Sequence, residues 1–199
     1  MAEDQLTRRA EIEAAAFKVL ERVGYKKASM LQIAKEAKAS NETLYAWYGN
    51  KQSLFQSLIV ANAGAIEEAL RRTLTGSSED LFELGKLVLG FTATEKAIII
   101  NRAAVAEVQE TGLLSQAIEA HARQAMLRCI NSHLADLDAS GEYAFEHGVE
   151  AAAEVYVNLL IGELQMQQSL GSVPALSQDE IEARSQRAVS YFGRLFQKS

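Results

Sequence analysis

The chain has 199 residues, 48% of them hydrophobic and 23% charged, a balance that fits a folded protein and excludes an intrinsically disordered one. Its one proline disfavours a turn-rich β-sandwich or barrel, and its one cysteine, Cys129, excludes a disulfide framework and a multi-cysteine zinc site. The net charge of −6 argues at first sight against a nucleic-acid partner, yet residues 1–55 hold nine Lys/Arg against seven Asp/Glu, and residues 26–51 hold five lysines against two glutamates. An acidic body with a slightly basic head is compatible with DNA binding, because only the contacting face must be positive.

Ile12, Ala16, Val19, Leu20 and Val23 form one stripe of a helix that Gly24 ends. Ser29 caps a second, two-turn helix with Met30, Ile33, Ala34 and Ala37 on its apolar face. Ser40 opens a third, through about Tyr48, and Gly49-Asn50 breaks the chain before a fourth begins near Lys51. Leu54, Phe55, Leu58 and Ile59 give that helix a core face. Gly76-Ser77-Ser78 is the next break, with Ser77 or Ser78 capping a helix that carries Leu81, Leu84, Val88 and Phe91. Further helices are predicted over about 95–109, 113–137 and 143–170, and Ser177 caps the last. The expectation is an all-α fold of about nine helices without a strand.

No apolar run approaches the ~18–20 residues of a membrane span, and the acidic first residues do not read as a secretory signal. The expected compartment is the cytoplasm. No P-loop, dinucleotide glycine pattern or nucleophile elbow is present. His121, His133 and His147 lack metal-site spacing. No catalytic residue, metal or cofactor is expected.

Two short helices joined by a tight turn and braced by a longer one are the parts of a helix-turn-helix, whose second helix enters the major groove. Ser40, Asn41, Glu42 and Thr43 at the start of that helix can meet base edges or phosphates. Tyr45 and Trp47 add flat rings, and Lys51 offers an ammonium and nearby backbone N–H groups to a phosphate. Glu42 either accepts from a cytosine amine or stabilises the helix N-terminus. Ser29 is an N-cap that can also touch a phosphate. Trp47 is read equally as core or as contact.

Gly24-Tyr25, Ser29-Met30 with Ile33-Ala34, Ser40 with Thr43-Leu44-Tyr45, and Lys51 with Leu54 resemble the tetracycline-repressor (TetR/AcrR) family over about residues 8–60. The resemblance implies a dimeric, ligand-responsive repressor. Its DNA-binding domain would occupy residues 1–51 and a helical ligand-binding and dimerisation domain residues 52–199. Where the family has Gly-Val before the serine, this chain has Lys38-Ala39, so either Lys38 adopts a positive φ or the turn differs. Glu42 replaces a small residue, and Trp47-Tyr48 replaces His-Phe.

Ile181, Ser185, Ala188, Phe192 and Leu195 step as a heptad seam. With Tyr156 and Leu159 of the preceding long helix they are the expected dimer interface, the resemblance implying a four-helix bundle between subunits. The alternative is that they complete a monomeric core. Phe91, Asn101, Arg102, His121, Met126, His133, Tyr156 and Gln165 are candidate effector-pocket residues by type and region. The expected partners are an operator duplex, a small-molecule effector and a second copy of the chain, with no membrane. The competing reading is an all-helical small-molecule-binding protein or enzyme with a vestigial head.

Overall fold

The computed structural model describes residues 2–73, 77 and 80–198. The chain forms two compact units, Met1–Ala61 with Ile99–Glu119, and Asn62–Ile98 with Ala120–Ser199. Residues 99–119, which the sequence assigns to the second domain, thus belong with the head.

The first unit contains α1 (Ala2–Lys27), α2 (Met30–Glu36), α3 (Asn41–Tyr48) and the start of α4 (Lys51–Thr73), together with most of α6 (Glu95–Glu107) and all of α7 (Leu113–Ala117). The α1 stripe buries Ile12, Ala16 and Val19 completely. Gly24 breaks the helical path at φ 72. Ser29 then closes a reciprocal capping box, accepting from the Gln32 amide at 3.3 Å while its own amide donates to Gln32 Oε1 at 3.0 Å. A seven-residue helix is too short to persist alone. Met30, Ile33 and Ala34 hold α2 by burial.

The turn before α3 takes the first of its two expected forms. Lys38 adopts φ 50, the one positive φ outside glycine among the described residues. That region costs an L-residue about 1–2 kcal/mol. The turn is held from outside, because Arg8 Nη2 donates to the Lys38 carbonyl at 2.7 Å, and from inside, because the Ala39 amide donates to Ala34 O at 2.9 Å. Ser40 Oγ accepts from the Thr43 amide at 3.0 Å and lies 2.8 Å from Thr43 Oγ1. Asn50, which the sequence marks only as a break, caps α4 by accepting from the Ser53 amide at 2.8 Å.

The second unit contains the rest of α4, then α5 (Asp80–Thr92), α8 (Gln124–Ser140), α9 (Val149–Leu160), α10 (Leu164–Leu170) and α11 (Gln178–Phe196). Gly76 and Ser78 of the expected break lie outside the described residues; the Ser77 amide donates to Asp80 Oδ2 at 3.1 Å. Ser177 caps α11 in a capping box with Glu180. Instead of about nine helices, eleven α-helices and one π-helical stretch (Ile118–Arg123) occur among the described residues.

Two expected helices account for the difference. The one expected at 113–137 contains the π-helical stretch. The one expected at 143–170 starts only after Gly148 and is divided by Gly162, at φ 86 and φ 47. Before Gly148 the chain is extended enough for Tyr143 to bridge Gln197. The end of α9 is sealed by Arg184, which donates to the Leu160 carbonyl and, at 2.8 Å, to Ile161 O.

Leu81, Leu84, Val88, Ile130, Leu134 and Leu160 are fully buried in this unit's core. Phe192 anchors an aromatic cluster, 5.3 Å from Tyr156, 5.9 Å from Tyr143 and 4.8 Å from Phe196 between ring centroids. Gly85 permits close packing beside it. A Cβ there would stand 2.9 Å from the Tyr156 hydroxyl, 3.0 Å from Leu160 Cδ2 and 3.1 Å from Ser185 Oγ. Among the described residues, no helix is long and apolar enough to cross a membrane.

Candidate functional site

The third helix has two distinct faces. Leu44 is completely buried, and Thr43, Trp47 and Tyr48 are half-buried. Asn41, Glu42, Tyr45 and Ala46 are exposed, a set that lies on one side at helical spacing. Three of them are residues that the sequence singles out. Ala46 is the one it misses, since a small apolar residue in a short helix carries no signal of its own. The face offers an amide suited to adenine, a carboxylate suited to a cytosine amine, a methyl suited to thymine and a half-exposed phenol. Ser40 and Ser29 have their hydroxyls engaged in capping, so each is first a structural residue.

Lys51 departs from expectation. Its ammonium donates to the Tyr25 carbonyl at 2.9 Å and sits 4.1 Å from the centroid of the Tyr25 ring. The side chain is half-buried. Burial pulls its pKa down, opposed by the charge of Glu110. The ammonium is thus engaged within the head, on the carbonyl and the ring of one residue. What the position retains for a phosphate is the first N–H groups of α4.

Tyr25 is the centre of this arrangement. Its ring is 5.7 Å from that of Phe55. Its hydroxyl is buried without a hydrogen-bond partner, and burial, reinforced by Glu107 and Glu110, raises its pKa to about 12. Glu107 is completely buried and accepts from the Leu114 amide at 3.3 Å and from the Thr111 hydroxyl. The sequence gives no hint of Glu107, whose partners lie in the turn that follows it and at the start of α7.

The candidate pocket residues do not form one group. Asn101 and Arg102 belong to the first unit, the other six to the second. Arg102 and His121 are exposed, and Phe91 is half-buried. Tyr156 is tied into the core of its unit. It has no exposed surface, and its hydroxyl donates to the Leu81 carbonyl. Gln165 donates to Thr92 O at 3.5 Å. Met126 and His133 are buried.

His133 differs from a satisfied packing histidine. Its Nε2 is buried with no hydrogen-bond partner, as is Oδ1 of Asn131. Burial lowers the imidazole pKa, partly offset by Asp80 and Asp136. Cys129, expected as a small buried residue, is only half-buried; burial and Glu67 raise its thiol pKa.

The heptad seam of α11 also changes role. Ile181, Ala188 and Phe192 are 7%, 1% and 0% exposed within the single chain. Together with Tyr156 they have almost no surface left for a partner, so the seam completes the subunit's own core. Leu195 remains 61% exposed, one turn from the half-exposed Tyr191. Leu159 is half-buried, one turn from the similarly placed Val155 on α9.

Comparison with known proteins gives two family matches. The AefR-like transcriptional repressor C-terminal domain matches residues 79–198, and the domain of bacterial regulatory proteins of the tetR family matches residues 12–58. No curated protein matches the sequence. A protein assigned as a TetR-family transcriptional regulator from Mesorhizobium loti MAFF303099 superposes with a TM-score of 0.82 at 20% identity, over 97% of this chain and 98% of that one. The flavonoid-responsive regulator FrrA is 27% identical, with a TM-score of 0.69 over 96% and 97% of the two chains. FadR from Bacillus subtilis, solved in complex with stearoyl-CoA, is 20% identical, with a TM-score of 0.71 over 92% and 96%.

Proposed function

The chain belongs to the TetR family of bacterial regulatory proteins, and we propose that this transcriptional regulator binds a pseudo-palindromic operator as a homodimer and is released by a small-molecule effector held in its second unit. The observation that carries the reading is the sided recognition helix. Leu44 locks α3 to the head while Asn41, Glu42 and Tyr45 face out. Ser29, Ser40, Thr43 and Trp47 support that face, and the start of α4 at Lys51 adds backbone groups for phosphate. Its action belongs in the cytoplasm, where the operator is.

A two-fold dimer reads two half-sites when its recognition helices are about 34 Å apart. An effector that binds better to a dimer with another spacing weakens DNA binding through linkage, with no chemistry required. For the dimer face, the exposure of Leu195 and Tyr191, with Leu159 and Val155 on α9, supports a patch beside the inward seam. For the effector, the unpartnered His133 Nε2, on the same face of α8 as Met126, with Phe91 packed against the same core, supports a ligand with an apolar body and at least one hydroxyl. The flavonoid named for FrrA is a ligand of that kind.

The test is selection of binding sites from a random duplex library. Enrichment of an inverted repeat is the expected result, with Asn41→Ala changing which bases are preferred. Phenolic ligands are then screened for release of the enriched duplex. No enrichment from low to moderate salt, with or without such ligands, would overturn the operator reading.

A further inference from the structure

We propose that Lys38, in the turn between α2 and α3, is a DNA-phosphate anchor, the role that the inward-facing ammonium of Lys51 does not fill. The proposal rests on the operator reading above and adds a residue to it. Four observations meet at this position. Lys38 alone among the described non-glycine residues holds a positive φ, at a turn where a glycine would be free of strain. Its carbonyl is gripped by Arg8 Nη2 at 2.7 Å, so the strained backbone is fixed from outside its own element. Its side chain is exposed, and its ammonium has no carboxylate partner among the described residues. Finally, it stands two residues before Ser40, the cap from which the recognition helix starts.

Strain that a smaller residue would relieve persists where the side chain has a use. At the edge of a helix lying in a major groove, the nearest groups of DNA are backbone phosphates, and a compact ammonium on a flexible stem suits them. Arg8 has the complementary part of a positioning residue. It pairs with Glu11 and holds the turn that presents Lys38, so its own guanidinium is engaged in the protein.

The experiment compares the full-length wild type with Lys38→Gly and Lys38→Met. Each is titrated against a 30-base-pair random-sequence duplex and against the duplex recovered by selection, at several KCl concentrations, with thermal unfolding in parallel. Removing one phosphate contact lowers the slope of log K against log salt by about one and weakens both duplexes alike. Both variants should therefore bind several-fold more weakly at low salt with that lower slope, while only Lys38→Gly melts higher, by roughly 1–4 °C. Wild-type affinity and slope in both variants would overturn the proposal and leave the operator reading standing. So would a loss in Lys38→Met that Lys38→Gly does not share, since the charge would then not be its cause. A wild-type protein that binds neither duplex would overturn the operator reading and the proposal with it.

Discussion

Replacing Lys51 with methionine separates a structural lysine from a DNA-contacting one. The substitution keeps most of the apolar stem and removes the charge. It deletes a 2.9 Å bond to the Tyr25 carbonyl and an ammonium 4.1 Å from the Tyr25 ring centroid. A hydrogen bond from a charged donor contributes about 1.5–3 kcal/mol, and a partly exposed cation–π contact about 0.5–1 kcal/mol. The ammonium is half-buried and its pKa is lowered chiefly by desolvation, so relief of that penalty offsets part of the loss. A net cost of about 1–2 kcal/mol follows, or a fall in Tm of roughly 2–8 °C for a chain of this size. Fluorescence of the one tryptophan, Trp47 in α3, follows melting of the head, and the same samples serve for DNA titration. The expected outcome is a lower Tm with an unchanged salt slope. An unchanged Tm together with a slope lowered by about one would refute the inward assignment of this lysine.

Gly85→Ala should destabilise the second unit by about 1–2 kcal/mol, since overpacking costs about 1–3 kcal/mol against a gain of about 0.5–1 kcal/mol in helix propensity. Tyr156→Phe removes the nearest clashing atom, 2.9 Å from the added Cβ, so urea unfolding of the double variant should show less than the summed loss; strict additivity would contradict the contact. His133 gives a pH dependence. Its folded pKa lies below the unfolded value of about 6.5, so the unfolded chain takes up the proton first. Its contribution is complete above about pH 6.5 and is lost as pH falls through that value towards the folded pKa, with a slope of at most about 1.4 kcal/mol per pH unit. Urea midpoints between pH 7.5 and 5.5 should fall more steeply for the wild type than for His133→Gln; equal slopes would place the titration elsewhere.

The parts of the fold legible in the sequence are those decided within a few residues. Ser29, Ser40 and Ser177 act as N-caps because a hydroxyl three residues before a free amide meets it by geometry alone. Gly24 ends its helical path because only glycine holds φ 72 without strain. The sequence foresaw the alternative that places Lys38 at positive φ, but not what makes it tolerable. Arg8 lies thirty residues away from the carbonyl it holds. The division of residues 143–170 was hidden for a similar reason. Apolar residues run through Tyr143 and Phe145 as they would in a helix, but their rings are taken up by Phe192 and Phe196 from the far end of the chain. Long-range ring packing and the bridge from Tyr143 to Gln197 outweigh the local pattern.

The candidate site shows the same division at the level of single atoms. Helical spacing was enough to place Asn41, Glu42 and Tyr45 on one face, because facing follows from period. It could not decide which group a long side chain would choose. From the start of α4, a lysine stem reaches either outward to solvent or back to a carbonyl twenty-six residues earlier. The choice goes to Tyr25 because its carbonyl and its ring stand together, and because Glu107 and Glu110 supply negative field there. The seam of α11 poses the same choice between two apolar surroundings. Phe192 turns inward because Tyr143, Phe145 and Tyr156 already form a ring-lined recess, which leaves Tyr191 and Leu195 as the residues with surface to share. A heptad therefore identified an apolar face without identifying its partner. That distinction sets where a dimer-breaking charge should go: Leu195→Glu meets exposed surface and tests association, whereas Phe192→Glu would empty the subunit's own core and report only on folding.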